Sequence, residues 1–506
     1  MRTQATALLL AFLGSALAAR ARAQGYLVRL DTRAQAVQYR GVTADSVLAT
    51  DTVTSSTGGP VTSDGYAVSC LSGSAYCSFY RAGPILSGAP VTTTADISLW
   101  GFGIPGLSFR ATARMGSSIG NATAWPGVEP ATQLLEGYAQ YATEHLSVQV
   151  GRQSMSSRLG FMGFDGGMVT LRDPQRGLDL IGYGGWGLTD GDVLPVTSPT
   201  TNPLDNFQPP DRQLVAGAQA GWTSTRVDIR ANYLREVDPS VDYFVSERAG
   251  LDVSIRPHRD WTLTGGADYD LAEEFWGSAE ATLSYLAANG RGYASLGIRS
   301  YRPHFDLWTI WGAFSPVPYH AVDATASFSP IDRLRLRANG EHYAYDDAGV
   351  STPLVSFETT GWRFGWGATV TVAPQWMLDG GYHAEFGPGA SSRGFEGAVT
   401  FTKHSLTLSA QAGTVDVPLE FRFDDASVWQ YGVSAQWRTS SRVNVGLDAS
   451  RYVEDRQRPD AAAFDWNQVW IDARVSLLLG GGAGSASDLQ HLPSAVRRMP
   501  GGREAP

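Results

Sequence analysis

Apolar and polar residues alternate along almost the whole chain, and this feature limits its possible folds more than any other. Runs of about nine to thirteen alternating residues begin at Leu107, Leu146, Val227, Leu334 and Val443, among other positions. Successive side chains of a strand point to opposite faces, so each run has one apolar and one polar face. A tilted strand needs about 9–11 residues to cross a bilayer, whereas strands of soluble sandwiches usually have about 5–6. The length of the runs therefore favours transmembrane strands.

The composition supports this interpretation. Hydrophobic residues make up 43% of the chain and charged residues only 17%, with 57 glycines and 15 tryptophans. Beyond the N-terminal segment, no stretch reaches the about 18 apolar residues that a transmembrane helix needs. The formal net charge of −10 comes without basic clusters, which argues against a nucleic-acid partner.

Strands in lipid must form a closed sheet, because every unpaired edge would leave backbone polar groups without hydrogen-bond partners. Short connections such as 223–224 alternate with long ones such as 189–211, as in barrels with periplasmic turns and extracellular loops. The predicted fold is all-β: a transmembrane antiparallel up-and-down β-barrel of roughly 22 to 24 strands, an even number being expected. Alternation begins at about Tyr26, so no separate plug domain is expected.

The chain divides into three predicted segments. Residues 1–23 have an arginine, a short apolar core and the sequence Ala21-Arg22-Ala23, which predicts a secretory signal peptide. Residues 24–480 are the predicted barrel, with its first strand within 26–42 and a long loop at 43–90. Residues 481–506 lose the alternation and are predicted to be a disordered periplasmic tail. Export and the barrel together predict the bacterial outer membrane as the location.

The only cysteines are Cys70 and Cys77. In an oxidising compartment, a pair this close in sequence is expected to form a disulfide. The alternative, a metal or redox site, needs further ligands, and the segment from Val42 to Pro90 has no histidine.

Aromatic residues gather near the ends of the runs. Their rings suit the boundary between membrane and water, which predicts two aromatic girdles. The residues concerned are Tyr138, Tyr141, Trp222, Tyr233, Trp261, Tyr269, Trp308, Trp311, Trp376, Tyr382, Trp466 and Trp470.

One segment resembles porin-like bacterial outer-membrane β-barrels. It contains Gly151-Arg152-Gln153, then Arg158-Leu159-Gly160-Phe161, then Phe164-Asp165-Gly166-Gly167. In those barrels, a strand that ends in Gly-Arg-Gln precedes a loop and a Phe-Asp-Gly turn into the next strand. The resemblance implies outer-membrane lipid, small polar solutes and the barrel-assembly machinery as partners, with a possible homo-oligomer. The chain departs from such barrels at its C-terminus, where a tail follows Leu477-Leu478-Leu479 instead of a terminal aromatic residue.

If the apolar faces contact lipid, the polar faces line the lumen, where charged side chains set selectivity. The predicted lumen and selectivity residues are Arg110, Arg114, Arg158, Arg230, Arg335, Arg337, Asp228, Asp252, Glu280 and Glu341. A row of arginines facing a row of carboxylates would create a transverse field; alternatively, salt bridges and inward loops close the lumen. Wide barrels hold water unless something plugs them, so a constriction is expected from a loop, either 152–165 with Arg158 or 42–90.

No constellation predicts an enzyme, and the sequence calls for no cofactor or metal. The zinc-protease signature H-E-x-x-H does not occur. Asp346-Asp347 near His342, and Asp424-Asp425, are ordinary loop residues on this interpretation. The leading hypothesis is a porin-like channel for diffusion of small hydrophilic solutes. The alternative is a non-conducting barrel that acts as a surface scaffold, receptor or secretion component.

Overall fold

The structure of the protein is a computed structural model. It describes residues 25–54, 60–66, 68–70, 73–119, 132–188, 212–239, 245–302, 318–346, 359–387, 390–416, 426–456 and 466–482. The predicted signal peptide and most of the predicted tail lie outside these residues.

Almost all of the described residues are in strands, with one short 3-10 helix at Ala49–Asp51. The strands are β1 (Gly25–Leu48), β2 (Val53–Thr54), β3 (Pro60–Val61), β4 (Ser69–Cys70), β5 (Tyr76–Gly88), β6 (Pro90–Trp100), β7 (Leu107–Ser118), β8 (Thr132–Ala142), β9 (Leu146–Ser157), β10 (Gly160–Asp173), β11 (Leu178–Gly187), β12 (Leu214–Thr223), β13 (Val227–Val237), β14 (Val245–His258), β15 (Trp261–Asp270), β16 (Phe275–Leu286), β17 (Gly292–Tyr301), β18 (Tyr319–Ile331), β19 (Leu334–Tyr345), β20 (Thr360–Ala373), β21 (Trp376–Gly387), β22 (Ala390–Lys403), β23 (Leu406–Asp416), β24 (Ala426–Arg438), β25 (Val443–Arg456) and β26 (Trp466–Gly482).

The sheet closes between its first and last strands. Strand β1 pairs antiparallel with β26, from Gly25 opposite Gly482 to Gln38 opposite Val469. Strands β5 and β6 act as one strand, since both pair with β1 in a continuous register. With these joined and β7–β26 following in order, the barrel has 22 strands. This confirms the predicted antiparallel barrel, and no separate plug domain is present in the described part of the chain.

The outside of the barrel is an apolar belt. Leu251, Leu296 and Leu447 are 44–55% exposed on the outer face, which a protein core would cover and hydrocarbon can cover. Exposed tryptophans stand near both ends of the strands. Trp222, Trp261, Trp376 and Trp437 lie at the turn end, and Trp186, Trp276, Trp362 and Trp429 at the loop end. A closed barrel with such girdles spans the bacterial outer membrane. No helix in the described residues is long and apolar enough to cross a membrane.

Two predicted girdle residues face the lumen. Tyr138 lies directly opposite Arg110 on the inner face, and Trp470 is on the same face of β26 as Asp472, which contacts Gln35. The prediction was wrong for these rings because position near a strand end does not specify the face. Trp308 and Trp311 lie outside the described residues.

The predicted long loop at 43–90 was wrong. Strand β1 continues to Leu48, which pairs with Tyr76 at the start of β5. Beyond Gln38, β1 has passed the end of its pairing with β26, so this hairpin projects past the wall on the loop side. Its residues alternate poorly because neither face meets hydrocarbon. The predicted disulfide between Cys70 and Cys77 is confirmed, and it joins β4 to β5.

Candidate functional site: a hairpin folded into the lumen

Strands β9 and β10 leave the barrel wall at a row of glycines. Gly151 lies opposite Gly166, and Gly166 lies opposite Gly185. A Cβ on Gly166 would stand 2.0 Å from the carbonyl oxygen of Gly184, and Gly151 has a φ of +134°. Other residues would not fit this close approach or this backbone conformation. The glycines therefore permit a sharp bend in the two strands.

The hairpin beyond this bend is longer and tighter than predicted. The resemblance predicted a loop after Gln153 and a Phe-Asp-Gly turn, but both strands continue and only Arg158 and Leu159 connect them. Phe164, Asp165 and Gly166 lie within β10. The prediction of a loop was wrong because the ladder between β9 and β10 runs on from Leu146 opposite Leu171 to Ser157 opposite Gly160.

Apolar side chains anchor the hairpin on the inner wall. Leu159, Met162 and Phe164 pack against Val215 of β12 and Leu234 of β13, and all five are at most 4% exposed. Complete burial of each such side chain stabilises by about 1.5–3 kcal/mol. Val215 and Leu234 would be unfavourable on a wall that faces water. The hairpin covers them, which explains why apolar side chains occur at these inward positions.

Arg158 at the tip reaches further around the wall. Its Nε donates to Asp252 Oδ1 of β14 at 2.7 Å and its Nη2 to Glu280 Oε1 of β16 at 2.7 Å. Its Nη1 donates to Ser278 Oγ at 3.1 Å and lies 4.0 Å from Asp268 Oδ1 of β15. The side chain of Arg158 is only 9% exposed, whereas those of Asp252 and Glu280 are 41% and 53% exposed. The hairpin thus extends through the lumen from its origin in β9 and β10 to the wall at β16.

The wall leaves room for this tip. We call the residues that contact it the arginine seat: Gly250 and Asp252 of β14, Gly266 and Asp268 of β15, and Ser278 and Glu280 of β16. A Cβ on Gly266 would stand 2.3 Å from Arg158 Nη2, and one on Gly250 would stand 3.0 Å from a Leu159 methyl group. Arg248 donates through Nη1 to the carbonyl oxygen of Leu159 at 2.8 Å. The tip is therefore held by side-chain charge, by a backbone hydrogen bond and by room that glycine leaves.

Other predicted lumen residues also lie on the inner face, where most form ion pairs with neighbouring strands. Arg110 lies 3.2 Å from Asp96 and 3.6 Å from Glu136. Arg337 makes two hydrogen bonds to Asp379, of 2.6 and 2.7 Å. These pairs lie side by side on the wall, so they do not form the two facing rows that would create a transverse field.

A ladder of ion pairs between charged side chains also runs along the inner face of β17–β21. Glu341 accepts from Arg299 at 2.6 Å and from Arg363 at 3.2 Å, and Arg363 donates to Glu385 at 2.7 Å. The sequence analysis did not single out Arg299, Arg363 and Glu385. Their parity within the alternating runs could have identified them, since Arg363 lies opposite Glu341 and Glu385 on one face.

The remaining predicted selectivity residues also lie on the inner face of the barrel. Arg335 donates to Ser327 Oγ at 3.4 Å, and Asp228 accepts from Thr223 Oγ1 at 3.0 Å. By register, Arg230 lies opposite Asp252 and Arg114 lies opposite Thr94 of β6. The alternation therefore places every predicted selectivity residue of the barrel strands on the inside.

The described residues include no group of acidic, histidine or cysteine side chains that could hold a metal ion. Asp346 lies 3.2 Å from His320, and the ring of His342 instead contacts the carbonyl oxygen of Gly361. Asp347, Asp424 and Asp425 lie outside the described residues.

Solved structures with similar folds include a porin and a copper transporter. A BenF-like porin from Pseudomonas fluorescens Pf-5 is 11% identical, with 90% of this chain and 99% of that chain covered and a TM-score of 0.39. Like this chain, that porin is covered almost completely in the comparison of the two folds. OccK3 (OpdO) of Pseudomonas aeruginosa is 10% identical over 90% and 96% of the two chains, with a TM-score of 0.39. The copper transporter OprC is 10% identical over 89% and 80%, with a TM-score of 0.44.

These likenesses are too distant to assign a cargo to this chain. No protein-family model matches the sequence, and no curated protein matches it either.

Proposed function

We propose that the protein is a channel through which small hydrophilic solutes diffuse across the outer membrane, and that the inward hairpin of β9 and β10 narrows it. The observation that carries the proposal is the charged inner wall of a closed 22-strand barrel. Barrels of 16 or more strands enclose an aqueous lumen unless something fills it. Hydrated solutes require such a wall, because ionised side chains replace part of their water shell.

The hairpin supports a narrowed channel. Its contacts described above all run to the wall formed by β12–β16. A hairpin anchored on one side narrows the passage on that side. We therefore expect solutes to pass between the hairpin and the wall that carries the ladder of Arg299, Glu341 and Arg363.

Two carboxylates of the arginine seat remain open to the passage. One guanidinium group faces Asp252, Asp268 and Glu280, and Asp252 and Glu280 remain about half exposed to the passage. Because rings of carboxylates attract cations, we propose a modest preference for cations at this level. The ten selectivity residues of the sequence analysis stay predictions in this role.

Planar-bilayer recording tests the channel. Purified, folded protein is expected to give discrete conductance steps, with a reversal potential in a salt gradient that indicates cation preference. Folded protein without conductance above baseline would contradict the proposal and would favour the non-conducting scaffold, receptor or secretion component. The signal peptide at 1–23, the tail at 481–506, the barrel-assembly machinery and the homo-oligomer remain predictions that this recording does not address.

A further inference from the structure

We infer that the lipid-facing side of β10–β13 binds one acylated, phosphate-bearing lipid of the outer leaflet. An acyl chain would occupy a groove between the strands, and the phosphate would contact two arginines above it. This site is separate from the lumen and does not depend on the proposed channel.

The groove has a floor of small residues between larger ones. Gly182 lies opposite Ala218, and Ala220 lies opposite Leu180 in the adjacent row. Leu171 and Leu180, which are 50% and 53% exposed, form one side, and Tyr233 forms the other. The volume is about 490 Å³. In a bilayer such a depression must be filled, because an empty apolar groove loses dispersion contacts on its open side.

The depression continues toward the loop end of the barrel. The next outward-facing row consists of Gly167, Gly184 and Ala216, which lie opposite one another on β10–β12. None of these has a side chain larger than a methyl group. A chain lying over Ala218 can therefore run straight up to the row that contains Asp165 and Trp186.

That upper row carries an excess of positive charge. Asp165 accepts two hydrogen bonds from Arg152, of 2.8 and 3.0 Å, and one from Arg212 of 2.7 Å. Among the described residues of this cluster, two guanidinium groups on one carboxylate give a net charge of about +1 by formal charges. Arg212 is 36% exposed, and Trp186 beside it is 46% exposed at the level of the girdle. Arginine binds phosphate through its planar fork of donors, so the cluster complements a phosphorylated headgroup.

The two parts lie on one path along the strands. From Leu171 to Asp165 the strand rises by six residues, which is about 20 Å along the strand and about 15 Å along the membrane normal at the usual tilt. The turn-end girdle lies only two residues beyond Leu171, because Leu171 is opposite Leu180 and Trp222 is opposite Leu178. A lipid with its headgroup at Asp165 would thus end its chain near Leu171.

A second outward groove provides a control. It measures about 410 Å³ and is lined by Phe401, Ala410 and Ala435, with Trp376 of the turn-end girdle at its edge. Among the described residues around this second groove, no carboxylate is shared by two arginines. It has the shape of the first groove without the charge.

Native mass spectrometry of the full-length protein tests the inference. Wild-type protein is incubated with phosphatidylglycerol or with the phosphate-free diacylglycerol that has the same palmitoyl and oleoyl chains. We expect phosphatidylglycerol to be retained about tenfold better. Ala218→Trp, which fills the groove, should abolish retention of both lipids, and Arg212→Gln should remove only the preference. Ala435→Trp, in the second groove, should leave both results unchanged.

Several results would overturn the inference. They are equal retention of the two lipids by wild-type protein, equal retention by wild type and Ala218→Trp, and a dimer that Ala218→Trp converts to monomer, which would make a second copy of the chain the occupant. If Ala218→Trp fails to fold, Arg212→Gln still decides, because retention of the preference without Arg212 would contradict the headgroup assignment.

Discussion

Replacing Arg158 by glutamate is expected to release the tip of the inward hairpin and to raise single-channel conductance. The new carboxylate would face Asp252, Asp268 and Glu280. Two unit charges about 4 Å apart interact by about 1 kcal/mol in water and about 4 kcal/mol near a protein surface. Because Asp252 and Glu280 are about half exposed, screening reduces this, and we expect about 2–3 kcal/mol in total. The ratio of released to docked tips should then rise about a hundredfold, seen as more frequent openings to a higher conductance level.

Two further variants separate this effect from loss of folding. Arg176→Glu makes the same charge change at a turn where the side chain is 80% exposed, and it should leave conductance unchanged. Arg158→Glu combined with Asp252→Arg restores an opposite-charge pair and should lower conductance toward the wild-type level. An unchanged conductance in Arg158→Glu would show that the tip does not lie in the conducting path.

Replacing Gly166 by alanine is expected to destabilise the protein more than any other single methyl addition at the bend. The new Cβ would stand 2.0 Å from Gly184 oxygen and 2.7 Å from Gly185 Cα. Neither atom belongs to a flexible side chain, so strands β10 and β11 must separate. Overpacking of this kind costs about 1–3 kcal/mol or more. Urea unfolding in detergent micelles measures the loss.

The matched control is Gly182→Ala on the neighbouring strand β11. A Cβ at Gly182 meets no atom within 4 Å, so the free energy of unfolding should change by less than about 0.5 kcal/mol. Equal stability of the Gly166→Ala and Gly182→Ala variants would contradict the close approach of β10 and β11 and, with it, the bend.

Much of the barrel was predictable from the sequence because alternation is a local property. The apolar and polar faces of a run such as 443–450 can be assigned from its own residues, without knowing which strands pair with it. Arg337 and Glu341 could be assigned to the lumen in the same way, since both have the parity of the polar face. Because lipid contacts one face of the sheet and water the other, the sheet must then close into a barrel.

The ion pairs could not be predicted, because they depend on register between strands. Arg337 meets Asp379, 42 residues away, only because β19 and β21 are both held by β20. The odd or even position of a residue in its run determines which face it lies on. It does not determine which residue on that face is its partner. The same limit applies to Arg299 and Glu341.

The inward hairpin was missed as a hairpin for a related reason. Apolar and polar residues do not alternate through residues 152–165, because both faces of the hairpin lie inside the barrel and neither contacts hydrocarbon, so the sequence predicted a loop there. The bend depends on Gly151, Gly166 and Gly185, which are separated in sequence and become one row only in the paired sheet. Arg158 was singled out from the sequence, but its three carboxylates on β14–β16 were not connected with it.

If hydrocarbon covers the apolar side of every strand, spin labels at successive positions of β25 should alternate between lipid and water. Single cysteines at positions 444 to 449 would be labelled in protein that is reconstituted in lipid bilayers. We predict that collision with oxygen, which concentrates in hydrocarbon, is highest at Val445, Leu447 and Ala449. Collision with a water-soluble nickel chelate should be highest at Asn444, Gly446 and Asp448. Equal accessibility at both sets, or a pattern without a period of two, would contradict the account.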